Sequence, residues 1–117
     1  MRTRTWLTAL LIAAMSVSLA ADKRADAKSQ VEFGIAIAKA GLWRDAVTHW
    51  QKAIKIDPTY AAAWNNLGIG YEQLGRFKEA REAYEMALKL DVNNTFIRTN
   101  WDQFLEIYNR QNRRRGG

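Results

Sequence analysis

Cysteine is absent from all 117 residues, so the chain holds no disulfide, no thiolate metal ligand and no cysteine for lipid attachment. Histidine occurs once. His49 lies between Thr48 and Trp50 with no second histidine to complete a zinc set, and it reads as a surface residue of a helix. Beyond the first 20 residues Ser29 is the only serine, and it sits near the start, away from any base that could activate it. Glu79, Glu82 and Glu85 recur beside Lys78, Arg81 and Lys89 on one helical face, the pattern of solvated charge and not of paired catalytic acids. Gly68 and Gly70 make a lone G-x-G without the strand or the rest of a dinucleotide fingerprint. No groups converge on a reaction, so neither an enzyme nor a metal or cofactor is expected.

Proline is also scarce: Pro58 is the only one. Around it the chain repeats. Shifted against itself by 34 residues, Phe33 meets Leu67, Gly34 meets Gly68, Ile37 meets Tyr71, Gly41 meets Gly75, Trp43 meets Phe77, Ala46 meets Ala80, Trp50 meets Tyr84, Ala53 meets Ala87 and Asp57 meets Asp91. Glycine inside a helix costs roughly 1 kcal/mol relative to alanine, so Gly34 and Gly68 are expected where a second helix comes close, with Ala46 and Ala80 facing them. Gly41 and Gly75 follow apolar helical runs and are expected to end them in the left-handed conformation. Each unit is therefore a helical hairpin.

The second unit, Ala61 to Asn94, carries Trp64, Leu67, Gly68, Tyr71, Ala80, Tyr84 and Ala87 at the spacing of the tetratricopeptide repeat, and it closely resembles that family. The first unit, Ala27 to Tyr60, resembles it through Phe33, Gly34, Ile37, Ala46, Trp50, Ala53 and Pro58. Gln30 replaces the tryptophan at Trp64, which suits a unit with no repeat before it. Val92 replaces Pro58, leaving Asn93 or Asn94 to cap the next helix. In a third frame Trp101, Phe104, Leu105 and Tyr108 fall at i, i+3, i+4 and i+7, one apolar face of a terminal capping helix over 95–110. The resemblance implies an all-α fold: a right-handed α-solenoid of two hairpins, 27–60 and 61–94, closed by that cap. Trp43, Trp50, Trp64 and Trp101 all take core positions of the repeat.

The first segment is of another kind. Arg2 and Arg4 precede an uncharged run, Trp6 to Leu19, shorter than the roughly 20 residues of a membrane span. Small residues follow at Ser18 and Ala20. Residues 1–20 read as a signal peptide cut after Ala20, with 21–26 a linker, which makes the mature protein periplasmic or secreted. Export would leave 97 residues, one small domain. The net charge of +6 comes from Arg2 and Arg4 in the leader and Arg110, Arg113, Arg114 and Arg115 near the end, so the repeat body is neutral and no nucleic-acid partner is expected. Residues 111–117 are expected to be a disordered basic tail, with Arg113–Arg115 offering at most a weak, salt-sensitive contact to an anionic membrane surface.

By analogy with the family, the first helices of the hairpins line a concave groove through Lys28, Val31, Ile35, Lys39, Asn65, Asn66, Ile69, Gln73, Phe96 and Asn100. The partner implied is another protein, supplying a peptide or a helix. Family members that clamp a C-terminal carboxylate carry lysine, arginine and asparagine at the sites held here by Val31, Ile35, Asn66, Phe96 and Asn100. Only Asn66 matches, so that mode is not expected. The function read from these residues is an adaptor or assembly module for a cell-envelope protein. The alternatives are self-association through an apolar patch of Val31, Ile69 and Phe96, and a membrane-tethered form whose leader stays uncut.

Overall fold

The computed structural model describes residues 2–117, with side chains from Ala9 onward. The side chains of Arg2, Arg4 and Trp6, on which part of the leader reading rests, lie outside the described set. Five helices follow one another: α1 (Arg2–Lys39), α2 (Trp43–Ile56), α3 (Ala61–Gln73), α4 (Phe77–Leu90) and α5 (Thr95–Gly116).

The two tight reversals are near copies. Gly41 and Gly75 take φ of 81° and 72°, the left-handed region that side chains disfavour. The amide after each glycine reaches back to close the helix end, Leu42 N–H to the Ile37 carbonyl and Arg76 N–H to the Tyr71 carbonyl. The longer connections use other devices. Asp57 accepts from the backbone N–H and the hydroxyl of Thr59 at 3.0 and 2.7 Å. Asn94 caps α5 by accepting from the Ile97 amide at 3.1 Å, the role proline's absence at Val92 had left to an asparagine.

Within each hairpin the helices nest on glycine. A methyl group on Gly34 would stand 2.4 Å from the indole nitrogen of Trp50, and one on Gly68 would stand 2.7 Å from the ring of Tyr84. Ala46, Ala53, Ala80 and Ala87 are fully buried opposite them. Across the hairpins α1 lies beside α3 and α3 beside α5, whereas the backbones of α2 and α4 stay further apart. The odd-numbered helices therefore form the inner, concave layer. α5 closes the stack through Ile97 and Phe104, which are buried, and through Trp101 and Tyr108, which pack against Tyr84 or Phe104.

Several expectations are corrected. Residues 21–26, expected as a linker, lie inside α1, where no glycine or proline interrupts the alanine-rich run before Gly34. Residues 111–116, expected within a disordered tail, continue α5. Arg110 reaches Glu106 at 3.1 Å, and cations suit the negative end of a helix. Phe33 does not share the burial of Leu67; it is 57% exposed against 1% and lies edge-on to His49, with no hairpin packed over it among the described residues. His49 is half-buried and shares a 2.9 Å hydrogen bond with Gln30.

At about 57 Å, α1 is longer than the repeats require. The molecule measures 75 × 28 × 20 Å because the first half of α1 stands clear of the body. Leu10, Leu11, Ile12, Met15, Val17 and Leu19 are each between 58% and 72% exposed, and among the described residues the first buried one is Ala27. Among the described residues no helix is long and apolar enough to cross a membrane.

Candidate functional site

The concave face is built by α1, α3 and α5, and the seams between them decide which side chains remain open. Val31 and Asn65, expected in the groove, are instead buried in these seams at 4% and 2% exposure. The Val31 carbonyl receives the Trp50 indole N–H at 3.1 Å. Asn65, the only buried polar residue among those described, accepts from the Asn100 side chain at 3.1 Å. With Val31 removed from the surface, Val31, Ile69 and Phe96 do not form one exposed apolar patch.

Two cavities open along this face. One, of about 320 Å3, joins Ile35, Lys39, Asn66 and Ile69 from the expected groove with Ala38, Trp43 and Trp50, which sequence reasoning had assigned elsewhere or passed over. Ala38 and Trp43 were legible in principle: Ile35, Ala38 and Lys39 are spaced i, i+3, i+4, and Trp43 opens the next helix. The second cavity, of about 470 Å3, joins Asn65, Asn66 and Phe96 with Arg24, Tyr60 and Ala62 among others. Asn66 belongs to both. Lys28, Val31, Gln73 and Asn100 line neither.

The polar groups near the face are mostly committed. Asn66 donates to the Ala62 carbonyl at 2.8 Å, so its Oδ1 is left to accept. The Glu72 carboxylate turns toward α4 and accepts from the Tyr84 hydroxyl at 3.0 Å. Burial, then the charge of Glu72, push the Tyr84 phenol well above its ordinary range, so it stays a neutral donor. Lys28 lies 3.9 Å from Glu32. No group of three or more metal-ligating side chains occurs among the described residues.

Arg24, which precedes the first repeat, ties α1 to the loop between the hairpins. It donates to Asp57 and to the Thr59 hydroxyl and lies over the Tyr60 ring, 4.8 Å from its centre. Burial raises the Asp57 carboxyl, but the bonds from Thr59 and Arg24 outweigh it and hold the group below its ordinary value of 3.8. A carboxyl depressed by folding stabilises fully above its unfolded pKa and stops doing so as pH falls through the folded one. Asp57→Asn should therefore unfold more readily than the parent at neutral pH by about 1 kcal/mol, the gap closing below pH 3.8. Denaturant titrations across pH check this; a gap independent of pH would refute it.

The match to known proteins follows this geometry. A model described as "Tetratricopeptide repeat" matches residues 61–94, and one described as "TPR repeat" matches 36–75. An uncharacterized protein of Methanocaldococcus jannaschii is 32% identical over 69 residues, which cover 59% of this chain and 80% of that protein. The probable UDP-N-acetylglucosamine–peptide N-acetylglucosaminyltransferase SPINDLY of Solanum lycopersicum is 40% identical over 68 residues, 58% of this chain but only 7% of its own length. PYG7, a chloroplastic tetratricopeptide repeat protein of Arabidopsis thaliana, is 32% identical over 69 residues, 23% of its length. The chain thus spans a small part of several relatives it matches. Among solved structures, the Sgt2 TPR domain of Aspergillus fumigatus superposes with a TM-score of 0.71 at 23% identity, over 76% of this chain and 60% of that one. The second TPR of Spaghetti (RPAP3), bound to an HSP90 peptide, gives 0.70 at 19%, over 78% and 84%. From its doubled hairpin, its glycine-nested helices and these matches, the chain belongs to the tetratricopeptide repeat family.

Proposed function

We propose that this chain is a protein–protein interaction module that docks one peptide or helical segment of a cell-envelope protein on its concave face, as an adaptor or assembly factor. The observation that carries the reading is the apolar cavity shared by α1, α2 and α3, open on the concave side and edged by an asparagine with a spare acceptor. A cleft of mainly hydrophobic walls with few placed polar groups suits a side chain presented by a partner. The peptide-bound state of the RPAP3 domain supports the same use of the fold, by analogy alone.

The test replaces Asn66 with aspartate and Ile69 with lysine together and repeats a crosslinking pull-down from intact cells. Capture of envelope proteins should disappear while the helical circular dichroism is kept; unchanged capture rejects the groove.

Export is part of the proposal. It is supported by the charged start, the apolar run and the small residues at Ser18 and Ala20, and by the clearance of residues 9–20 from the core, which first closes at Ala27. Intact-mass measurement on the exported protein should find it starting at Ala21. A start at Met1 would replace the soluble reading with a tethered one.

A further inference from the structure

The 320 Å3 cavity has walls of one character and a single exception. Ile35, Ala38, Trp43, Trp50 and Ile69 are apolar, Asn66 is neutral, and Lys39 is the one charged residue on the lining. Three carboxylates of the body have partners of their own: Glu32 with Lys28, Asp57 with Arg24, Glu72 with Tyr84. Lys39 makes no ion pair among the described residues, and it sits in the last turn of α1 on the exposed side.

An ammonium at the edge of an apolar cleft imposes a condition on whatever fills that cleft. A purely apolar occupant strips water from the cation and returns nothing, whereas an occupant that brings a carboxylate within about 4 Å recovers the loss in a site of lowered dielectric. A basic occupant is repelled. The second cavity shares only Asn66 with the first and lies toward Arg24 and Phe96. An occupant therefore does not have to end beside Lys39.

Resting on the docking role proposed for the groove, we infer that the chain selects an internal protein segment in which a bulky aliphatic or aromatic residue stands within two positions of an aspartate or glutamate. The apolar side chain fills the cleft of Ile35, Trp43 and Ile69. The carboxylate meets Lys39. A backbone N–H of the segment donates to Asn66 Oδ1. Charge complementarity at one lysine sets the preference, and the apolar walls supply the contact area.

A phage-displayed library of random dodecapeptides, selected in parallel on the full chain, on Lys39→Glu and on Ile69→Lys, tests this. On the full chain the recovered peptides should carry the apolar–acidic pair, and Lys39→Glu should weaken them by about tenfold while recovering apolar–basic pairs in its own selection. Ile69→Lys should recover neither. Lys39 is exposed, so its substitution leaves the fold unchanged, and circular dichroism verifies this for both variants. Peptides lost on Ile69→Lys but indifferent to the charge at residue 39 would overturn the inference and leave the groove standing. No recovered peptides, or peptides held equally by Ile69→Lys, would overturn the groove as well.

Discussion

Trp50→Ala should bring the repeat body close to unfolding, a loss of about 3–5 kcal/mol in a urea titration followed by circular dichroism. Domains of this kind hold only about 5–15 kcal/mol in total, and a stack of two hairpins and a cap sits toward the low end. The ring is the joint between the repeats. On one side it lies against Gly34 of α1, and on the other a methyl group on Gly70 of α3 would meet its six-membered ring at 2.9 Å. Its indole N–H donates to the Val31 carbonyl in a site where the residue is 1% exposed. Truncation therefore opens a cavity shared by three helices and removes a buried side-chain hydrogen bond at once. Trp64 provides the comparison. It is half-buried and donates to the Pro58 carbonyl at 2.8 Å on an exposed edge, so Trp64→Ala should cost clearly less. Equal losses at the two positions would show that residue 50 is not the joint.

The doubled hairpin was legible because period and turn chemistry are local properties. Gly41 and Gly75 announce left-handed caps, and the 34-residue register places Lys39 and Gln73 at the ends of equivalent helices. What lies across each apolar face is not local, and there the sequence was silent. Phe33 and Leu67 hold one position of the repeat, yet Leu67 packs in one cluster with Trp50 and Ala53 of the hairpin before it, while Phe33 has no such hairpin. The same asymmetry explains Gly70. A lone G-x-G looked empty of meaning as a ligand motif, but Gly68 admits Tyr84 of its own hairpin and Gly70 admits Val47 and Trp50 of the previous one. Its counterpart in the first unit, Ala36, carries a methyl group and is exposed, with no earlier hairpin to admit. Within the groove, Val31 and Asn65 were assigned to the open face because analogy gives helix faces without distances. The helices approach closely enough to turn those positions into seams, and Asn65 is tolerated there because Asn100 supplies its partner. Arg24 lay outside the repeat frame altogether, and no spacing rule could have paired it with Asp57 across the sequence.

Gly34→Ala and Gly68→Ala should each destabilise the protein by about 1–3 kcal/mol, against the intrinsic preference of the helix. Propensity alone favours alanine by roughly 1 kcal/mol at both sites, so the sign of the result separates the two effects. The neighbours cannot yield. Trp50 is fixed by its bond to Val31, and Tyr84 is held by Glu72 and by the rings of Trp101 and Phe104, whose centres lie 6.4 and 5.2 Å away. A methyl group at 2.4 or 2.7 Å must therefore push the paired helices apart. The third frame supplies an internal control. Asp102 occupies the position of Gly34 and Gly68, but α5 packs on α3 and α4 through other positions and Asp102 is exposed. Asp102→Ala should change stability by less than about 0.5 kcal/mol, as surface positions do. Were alanine to stabilise the protein at residues 34 and 68 as well, close approach would not be the reason those helices carry glycine, and the nesting that aligns the concave face would need another cause.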